Sequence, residues 1–233
     1  MIYLSDPEHR FPTAEQLPSS DDTPVDNQLQ NDIPNLLLQV LADLWAERDD
    51  WYFGVDMGIY YDPDQLAIVP DAFLAIGVQR FIGDRGRLSY VLWQEQVVPQ
   101  LVLEIISEKY GGEYDTKMAK YAEIGIPYYF IYNLDSGRRG RFRLRQRLEI
   151  YRLTANGYQI QDTPDQRLWL PELGLGLGME VSLQMGWQRE WFFWYNQQGD
   201  RYLTPYELRQ QAEMQAVRLA QKLRNLGIDP DQV

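Results

Sequence analysis

Two apolar runs are long enough to be buried strands: Val69-Pro70-Asp71-Ala72-Phe73-Leu74-Ala75-Ile76 and Leu101-Val102-Leu103-Glu104-Ile105-Ile106. Asp71 follows a proline at the entrance of the first run, a position where strands tolerate proline. Glu104 lies among aliphatic residues in the second run, where a carboxylate is costly unless a cation or several donors hold it. Two such acids on neighbouring strands, with a lysine nearby, are typical of metal-dependent phosphodiester chemistry.

A helix is expected over residues Glu113–Ile124, because Gly125 follows as a helix-ending residue. At about 100° per residue, its inward-facing stripe consists of Tyr114, Met118, Tyr121 and Gly125. Lys117 lies about 60 to 70° from the centre of this stripe and can reach inward, whereas Lys120 lies about 130° away and should point to solvent. A structural salt bridge between Glu104 and Lys117 is the plainer alternative to a site. The secondary candidates for the site are Glu113, Tyr121 and Lys120.

The order of these features resembles a large bacterial family of restriction endonuclease-like proteins, the Uma-type branch of the PD-(D/E)XK nuclease superfamily. The matching features are Pro70-Asp71, Glu104 in an apolar strand, the helix with Lys117 and Tyr121, and Gly125-Ile126-Pro127-Tyr128-Tyr129. The segment Leu17-Pro18-Ser19-Ser20-Asp21-Asp22-Thr23-Pro24 also resembles the N-terminal signature of that family. The resemblance covers roughly residues 17 to 195. It implies an α/β restriction-endonuclease-like fold: a mixed sheet flanked by helices, with an antiparallel C-terminal extension and a terminal amphipathic helix.

The resemblance also implies a function, the metal-dependent hydrolysis of DNA phosphodiester bonds by an endonuclease. Its catalytic residues would be Asp71, Glu104 and Lys117, and Mg²⁺ or Mn²⁺ would be held by Asp71, Glu104 and the backbone carbonyl of Ile105. The superfamily places its lysine two residues after the glutamate, where this chain has Ile106, so we expect Lys117 to replace it from the helix. Because the strand lysine is missing, the alternative is a catalytically inactive nuclease-like fold that acts as a nucleic-acid-binding or assembly module. A nuclease acting on RNA is a third reading.

The composition limits which ligands and partners are possible. The chain has no cysteine and one histidine, His9, which excludes a thiolate zinc site and a disulfide framework. A metal would therefore need oxygen ligands, as Mg²⁺ and Mn²⁺ prefer. No apolar run approaches the length of a membrane span and no secretory leader is recognisable, so we expect a cytoplasmic protein. The net charge of −12 disfavours broad affinity for nucleic acids, so a DNA-binding surface must be a local basic patch.

Such a patch is present in residues 141–148, where arginine occupies every second position and three of the four positions between are apolar. This period of two predicts a strand with a basic face and an apolar face. The basic face could follow a phosphate backbone, or it could be the ordinary wet face of an antiparallel sheet. The candidate nucleic-acid-binding residues are Arg141, Arg143, Arg145 and Arg147.

Three segments are expected along the chain: an N-terminal arm over residues 1–28, the nuclease-like domain over 29–203 and a C-terminal helix over 204–233. The arm is rich in Pro, Ser, Asp and Thr, which favours an extended conformation. Thr204-Pro205-Tyr206-Glu207 predicts a helix start, because it combines a capping box with proline at the first helical position. Apolar residues then recur at a spacing near 3.5 residues, which is typical of a helix that packs on the body or on a second subunit. We therefore expect a homodimer.

Two further segments bear on the site. A first helix is expected over Ile33–Arg48, with Asp32 as its cap and Pro34 in its first turn. The residues before it that could contribute to a metal site are polar but not acidic: Asn27, Gln30 and Asn31. Residues 173–178 alternate leucine and glycine, yet they lack the lysine and hydroxyl of a phosphate-binding loop, so we interpret them as a structural loop.

Overall fold

The computed structural model describes residues 1–18, 27–106, 110–138, 140–163 and 165–230. Its helices are α1 (Leu29–Leu44), α2 (Leu92–Glu95), α3 (Thr116–Ile124) and α4 (Pro205–Asn225). Its strands are β1 (Trp51–Val55), β2 (Ile59–Tyr60), β3 (Ala72–Ile76), β4 (Tyr90–Val91), β5 (Leu101–Ile106), β6 (Tyr128–Asn133), β7 (Leu148–Thr154), β8 (Gly157–Ile160), β9 (Arg167–Leu170), β10 (Leu175–Gln184) and β11 (Trp187–Tyr195).

The central element is a six-stranded mixed sheet in the order β1-β3-β5-β6-β7-β8. Its middle pair, β5 and β6, is parallel, and α3 is the crossover between them. The other pairs in this sheet are antiparallel. A second, three-stranded antiparallel sheet in the order β11-β10-β9 follows in the chain. The fold is therefore the mixed α/β sheet with an antiparallel extension and a terminal helix that the sequence predicts.

The two faces of the central sheet are covered by different elements, and strand alternation distributes the side chains between them. Leu101, Leu103 and Ile105 of β5 join the apolar core formed with α1 and the aromatic strand β11. Val102 and Ile106 join the core that includes Tyr121 of α3. Glu104 lies between these last two residues in the alternation, so its side chain belongs to the α3 face.

The first helix begins earlier than the sequence predicts. It starts at Leu29, with Gln28 as an N-cap residue that makes no side-chain capping bond, and Pro34 lies inside it. Leu29 is buried on the same face as Ile33, Leu37 and Leu41, and its packing explains why the helix begins one turn before the predicted start. The other helix near the site, α3, begins three residues later than expected, with Asp115 as its N-cap and Gly125 as its C-cap at φ 92°.

Residues 141–147 are not a strand but a series of turns and bends, and β7 begins only at Leu148. The prediction that Arg141, Arg143, Arg145 and Arg147 share one strand face is therefore wrong. The physical reason is that side chains at the end of β6 and in the following turn bind the backbone carbonyls of this segment. Asn133 Nδ2 donates to Phe142 O at 2.9 Å, and Ser136 Oγ donates to Arg145 O at 2.8 Å. Carbonyls held in this way are not available to a strand ladder.

The glycine-rich segment is also not a loop, since residues 175–178 form the first part of β10. A Cβ built on Gly178 would lie 2.3 Å from the Cβ of Arg167, and one built on Gly176 would lie 3.1 Å from the Cβ of Tyr195. These glycines therefore permit the close approach of β9 and β11 to β10. No phosphate-binding role is needed to explain them.

The two ends of the chain differ in how they meet the body. The N-terminal arm lies on it through Tyr3 N, which donates to Tyr61 O at 2.9 Å, and through Trp93 Nε1, which donates to Pro12 O at 2.9 Å. Six residues of the N-terminal signature, 19–24, lie outside the described residues. The predicted capping box of α4 is confirmed at Thr204 and Glu207. Within the described part of the chain, none of the helices is long and apolar enough to cross a membrane.

Candidate active site

The two strand acids face each other on the α3 side of the sheet. The antiparallel register pairs Ala72 with Leu103, so one step further along places Asp71 opposite Glu104. Side chains in such directly opposed positions have Cβ atoms about 4.5–5.5 Å apart. Asp71 Oδ2 also accepts a hydrogen bond from the backbone N–H of Ile105 at 2.5 Å. Both acids are buried, with 8% exposure for Asp71 and 2% for Glu104.

Glu104 is held by a cation and a hydroxyl from α3. Lys117 Nζ lies 2.8 Å from Glu104 Oε1 and 3.0 Å from Oε2, and the hydroxyl of Tyr121 donates to Oε1 at 2.6 Å. Lys117 Nζ also donates to the backbone carbonyl of Val69 at 2.8 Å. The helical phase of Lys117 thus directs it inward, as the sequence predicts. Its catalytic role stays a prediction.

Lys120 lies elsewhere. Its ammonium group pairs with Glu123 at 2.7 Å and lies 4.7 Å from the centre of the Tyr61 ring. Because its ammonium group is engaged by Glu123 and Tyr61, Lys120 does not compete with Lys117 for Glu104. It is therefore a natural comparison residue rather than a member of the site.

Glu113 is a third buried acid near the pair. It precedes α3 instead of lying on it, is 6% exposed, and accepts hydrogen bonds from the backbone N–H of Gly111 at 3.0 and 3.1 Å. Its own backbone carbonyl accepts a bond from the hydroxyl of Tyr129 at 2.8 Å. Glu113 thus anchors the segment that leads into α3 and adds negative charge near Lys117.

The electrostatics of the site show an excess of acid. Burial, and then the negative charge of Glu104, raise the pKa of Asp71 well above its usual value, against the opposing effect of the Ile105 N–H and Lys117. Burial is also the main reason why the pKa of Glu113 is raised. Burial lowers the pKa of Lys117, but Glu104 and the other acids outweigh it, so that pKa is raised and the ammonium stays charged. One ammonium therefore faces three acidic side chains.

The oxygen atoms of Asp71, Glu104 and the Ile105 carbonyl are of the kind that a hard divalent ion takes as ligands. Mg²⁺ commonly takes one or two protein carboxylates and keeps water or phosphate oxygens as its other ligands, and Asp71 and Glu104 supply two. Within the described ranges, no group of three or more Asp, Glu, His or Cys residues is arranged to hold a metal. The carbonyl of Ile105 accepts a bond from Gln30 Nε2 at 3.3 Å, and a carbonyl oxygen has a second lone pair. Asp71, Glu104 and Ile105 are thus compatible with an ion that keeps several waters.

Two groups that contact the candidate site could not be identified individually from the sequence. The carbonyl of Val69 binds Lys117, but a backbone atom leaves no mark in the sequence. Gln30 was one of three polar candidates before the first helix, and its contact with Ile105 selects it from them. The strand position Ile106 is buried in the α3-side core at 1% exposure, so it offers no polar group to the site.

The four candidate nucleic-acid-binding arginines divide into two pairs. Arg145 pairs with buried Glu149 at 3.0 Å, and Arg147 pairs with Glu190 at 2.9 Å and donates to Leu134 O at 2.8 Å. These two are engaged with the protein itself. The other two side chains, Arg141 and Arg143, are exposed.

The mixed sheet flanked by helices, with its antiparallel extension, is the restriction endonuclease-like fold. The family model described as Uma2, putative restriction endonuclease, matches residues 22–185. The chain belongs to this family, and its coarse class is that of a nuclease. Comparison with curated proteins gives no match. A similar solved structure is that of a putative nuclease from Anabaena variabilis ATCC 29413, with a TM-score of 0.44 and 14% identity, covering 64% of this chain and 75% of that chain.

Proposed function

We propose that this protein is a metal-dependent endonuclease that hydrolyses DNA phosphodiester bonds, with Mg²⁺ or Mn²⁺ as its cofactor. The observation that carries the proposal is the excess of buried acid: Asp71 faces Glu104, and Lys117 is the ammonium that holds Glu104 at 2.8 Å. Burying carboxylates in this way is unfavourable unless a further cation balances them. A divalent ion held by Asp71, Glu104 and the Ile105 carbonyl would supply that balance.

The chain's own residues would have separate tasks in the reaction. When bound, the ion would neutralise charge on the scissile phosphate and lower the pKa of a water molecule. Asp71 and Glu104 would hold the ion, and Tyr121 orients Glu104 through its hydroxyl. Lys117 stays protonated and stabilises negative charge that develops on the phosphate oxygens in the transition state. Its neighbour Glu113 fixes the backbone that delivers Lys117.

The test is a titration of Mg²⁺ or Mn²⁺ into the protein, followed by cleavage of a supercoiled plasmid. The wild type should bind one of these ions and nick or linearise the plasmid. Glu104→Gln keeps the size of the side chain but removes its charge, so both metal binding and cleavage should be lost. The surface variant Glu123→Gln is the control, because Glu123 bonds Lys120 outside the site. Cleavage by Glu104→Gln at the wild-type rate would end the proposal.

The second candidate is a nuclease-like fold without catalysis that binds nucleic acid or assembles with a partner. The observation that favours it is Ile106, which fills the superfamily's lysine position and is buried in the core. In that case the contact between Glu104 and Lys117 is a structural salt bridge. A protein that binds a DNA duplex but neither binds Mg²⁺ or Mn²⁺ nor cleaves the plasmid would support this candidate. An RNA substrate is tested by the same assay with a structured RNA.

For the DNA contacts, we propose a revised set of arginines. Arg141 and Arg143 are exposed and can reach phosphates, whereas Arg145 and Arg147 are ion-paired within the protein. Each phosphate contact that is lost should lower the slope of log affinity against log salt concentration by about one unit. Replacing both Arg141 and Arg143 by Gln should therefore flatten the slope by about two units. An unchanged slope would remove these residues from the DNA interface.

We also propose that the protein acts as a homodimer in the cytoplasm. The support for the dimer is the exposed apolar residues of α4, where Val217 is 69% and Leu219 is 52% exposed. Sedimentation of the full chain and of Leu219→Glu measures it. Equal monomeric masses for both proteins would contradict the dimer without bearing on the nuclease chemistry.

A further inference from the structure

The connection between β6 and β7 carries the densest cluster of positive charge in the sequence. Residues 138–147 contain six arginines and no acidic residue, although the whole chain has a net charge of −12. Leu144 lies within this cluster and is 90% exposed. No other large apolar residue in the described ranges is more exposed than Leu144. Among the residues that the structure describes, none covers this apolar side chain between Arg143 and Arg145.

The segment that presents Leu144 is fixed on both sides of it. Gly137 N donates to Arg143 O at 2.9 Å, and Arg145 N donates to Phe142 O at 3.0 Å. On the inner side, the Phe142 ring packs on the rings of Tyr110 and Tyr114, with centroids 4.7 Å apart in both pairs. The exposed leucine is thus held in place by its neighbours.

This segment lies beside the candidate active site. The guanidinium of Arg145 lies 3.9 Å from the centre of the Tyr114 ring, and Tyr114 stands directly after Glu113 and three residues before Lys117. A duplex that presents a phosphate to Lys117 would therefore also meet the arginine segment. Its exposed arginines can bind phosphates, while Leu144 would meet the bases or sugars in a groove.

We propose that Leu144 is a wedge that inserts into a base step of duplex DNA next to the cleaved phosphate, with Arg141 and Arg143 bound to flanking phosphates. Apolar side chains used in this way unstack a step and bend the duplex. Pyrimidine–purine steps such as TA are the easiest to unstack, so the wedge would favour them. The inference rests on the proposed DNA-cleaving function and adds to it a preference for deformable sequence.

The experiment uses the full chain in EDTA, so that no cleavage occurs, and duplexes with 2-aminopurine in a central TA step or in an A-tract. Wild-type protein should raise 2-aminopurine fluorescence several-fold on the TA duplex and bind it about tenfold more tightly than the A-tract. Leu144→Ala should abolish both the rise in fluorescence and the preference for the TA duplex. Leu144→Met should keep most of the fluorescence rise. Leu66→Ala is the matched control, because Leu66 is 84% exposed outside this segment.

The outcomes separate this inference from the proposed function. If Leu144→Ala binds and unstacks the TA duplex like Leu66→Ala, the wedge is wrong, while plasmid cleavage by the wild type would still support the nuclease. If only Leu144→Ala loses the rise in fluorescence but the wild type never cleaves with Mg²⁺ or Mn²⁺, the wedge is supported and the protein is a DNA-binding module without nuclease activity. A wild-type protein that binds neither duplex overturns the wedge, and plasmid cleavage with Mg²⁺ or Mn²⁺ then decides the nuclease separately.

Discussion

Two clusters of acidic and basic side chains in this molecule look alike by distance but differ in their charge balance. In the first, Lys117 contacts Glu104 at 2.8 Å, with Asp71 opposite. In the second, at the start of α4, Arg201 contacts Glu180 and Glu207, each at 2.8 Å. Burial and the charge of Glu104 raise the pKa of Asp71. By contrast, bonds from Arg201 and Thr204 outweigh burial and lower the pKa of Glu207 to about 2.

The direction of the pKa shift, up for Asp71 and down for Glu207, separates a cluster suited to catalysis from a structural one. Glu207 has a bidentate guanidinium and a backbone donor, so its charge is satisfied within the fold. Asp71 has one backbone donor and a neighbouring acid, so its charge is opposed by the fold. Titratable groups whose charge the fold opposes are concentrated at functional sites. The comparison thus predicts opposite effects on activity and stability for the two clusters.

The largest effect is expected for Lys117→Met. Removing the ammonium should lower the rate of plasmid cleavage by about 100-fold or more, since a lost transition-state charge contact costs about 3 kcal/mol. The variant leaves buried Glu104 without its cation, so folding must be checked by circular dichroism. Lys117→Arg keeps the charge and should recover part of the rate.

Two controls sharpen this prediction. Lys120→Met changes the same helix without touching Glu104, and Arg201→Met removes the cation of the other cluster. Both should cleave at the wild-type rate when equal amounts of folded protein are compared. A larger rate loss in Lys120→Met than in Lys117→Met would show that the lysine assignment is wrong.

The next effect concerns stability at the second cluster. Glu207→Gln should lower the free energy of unfolding by about 1–2 kcal/mol at neutral pH, because it weakens the capping box and the bonds to Arg201. Since the folded pKa of about 2 is below the ordinary value of 4.5, the contribution is present above pH 4.5 and is lost as the pH falls toward 2. Urea unfolding at several pH values measures it. If the wild type and Glu207→Gln lose stability equally between pH 4.5 and 2, Glu207 is not the group responsible.

The sequence predicted the features that follow from local periodicity. A continuous apolar run placed Glu104 inside a buried strand, helical phase separated Lys117 from Lys120, and the capping box located the start of α4 at Thr204. Each depends on residues within one or two turns of one another, so the chain itself contains the needed information. The family resemblance then supplied the order in which these pieces assemble.

The features that were missed depend on contacts between distant segments. The arginine segment alternates like a strand, but Asn133 and Ser136 take its carbonyls. Gly176 and Gly178 look like loop residues, yet they are needed where three strands approach closely. The excess of acid at Asp71 was likewise missed, because predicting it requires the burial of the side chains and the pairing register of the strands, and neither follows from the periodicity of one segment.

A smaller effect is expected when metal is added. Mg²⁺ or Mn²⁺ at ten times its dissociation constant should stabilise the wild type by about 1.4 kcal/mol, because it binds the folded state only. For a chain of this size that corresponds to a rise in melting temperature of about 3–5 °C. Asp71→Asn should lose the rise, whereas Glu180→Gln, in the second cluster, should keep it. An equal rise in both variants would mean that the ion binds outside the proposed site.

The smallest effect is expected for Asp71→Asn without metal. The asparagine can still accept the bond from Ile105 N, but it removes a buried charge that faces Glu104, so stability at neutral pH should increase by up to about 1 kcal/mol. The sign follows from the raised folded pKa of Asp71: the native state holds the proton more tightly, so wild-type stability declines as the pH rises from the ordinary value through the folded one. Asp71→Asn should remove that decline, whereas Asp→Asn changes at exposed positions such as Asp64 should not. Urea unfolding of both variants from pH 4 to 8 measures the difference, and a loss of stability in Asp71→Asn would place Asp71 with the structural acids such as Glu207.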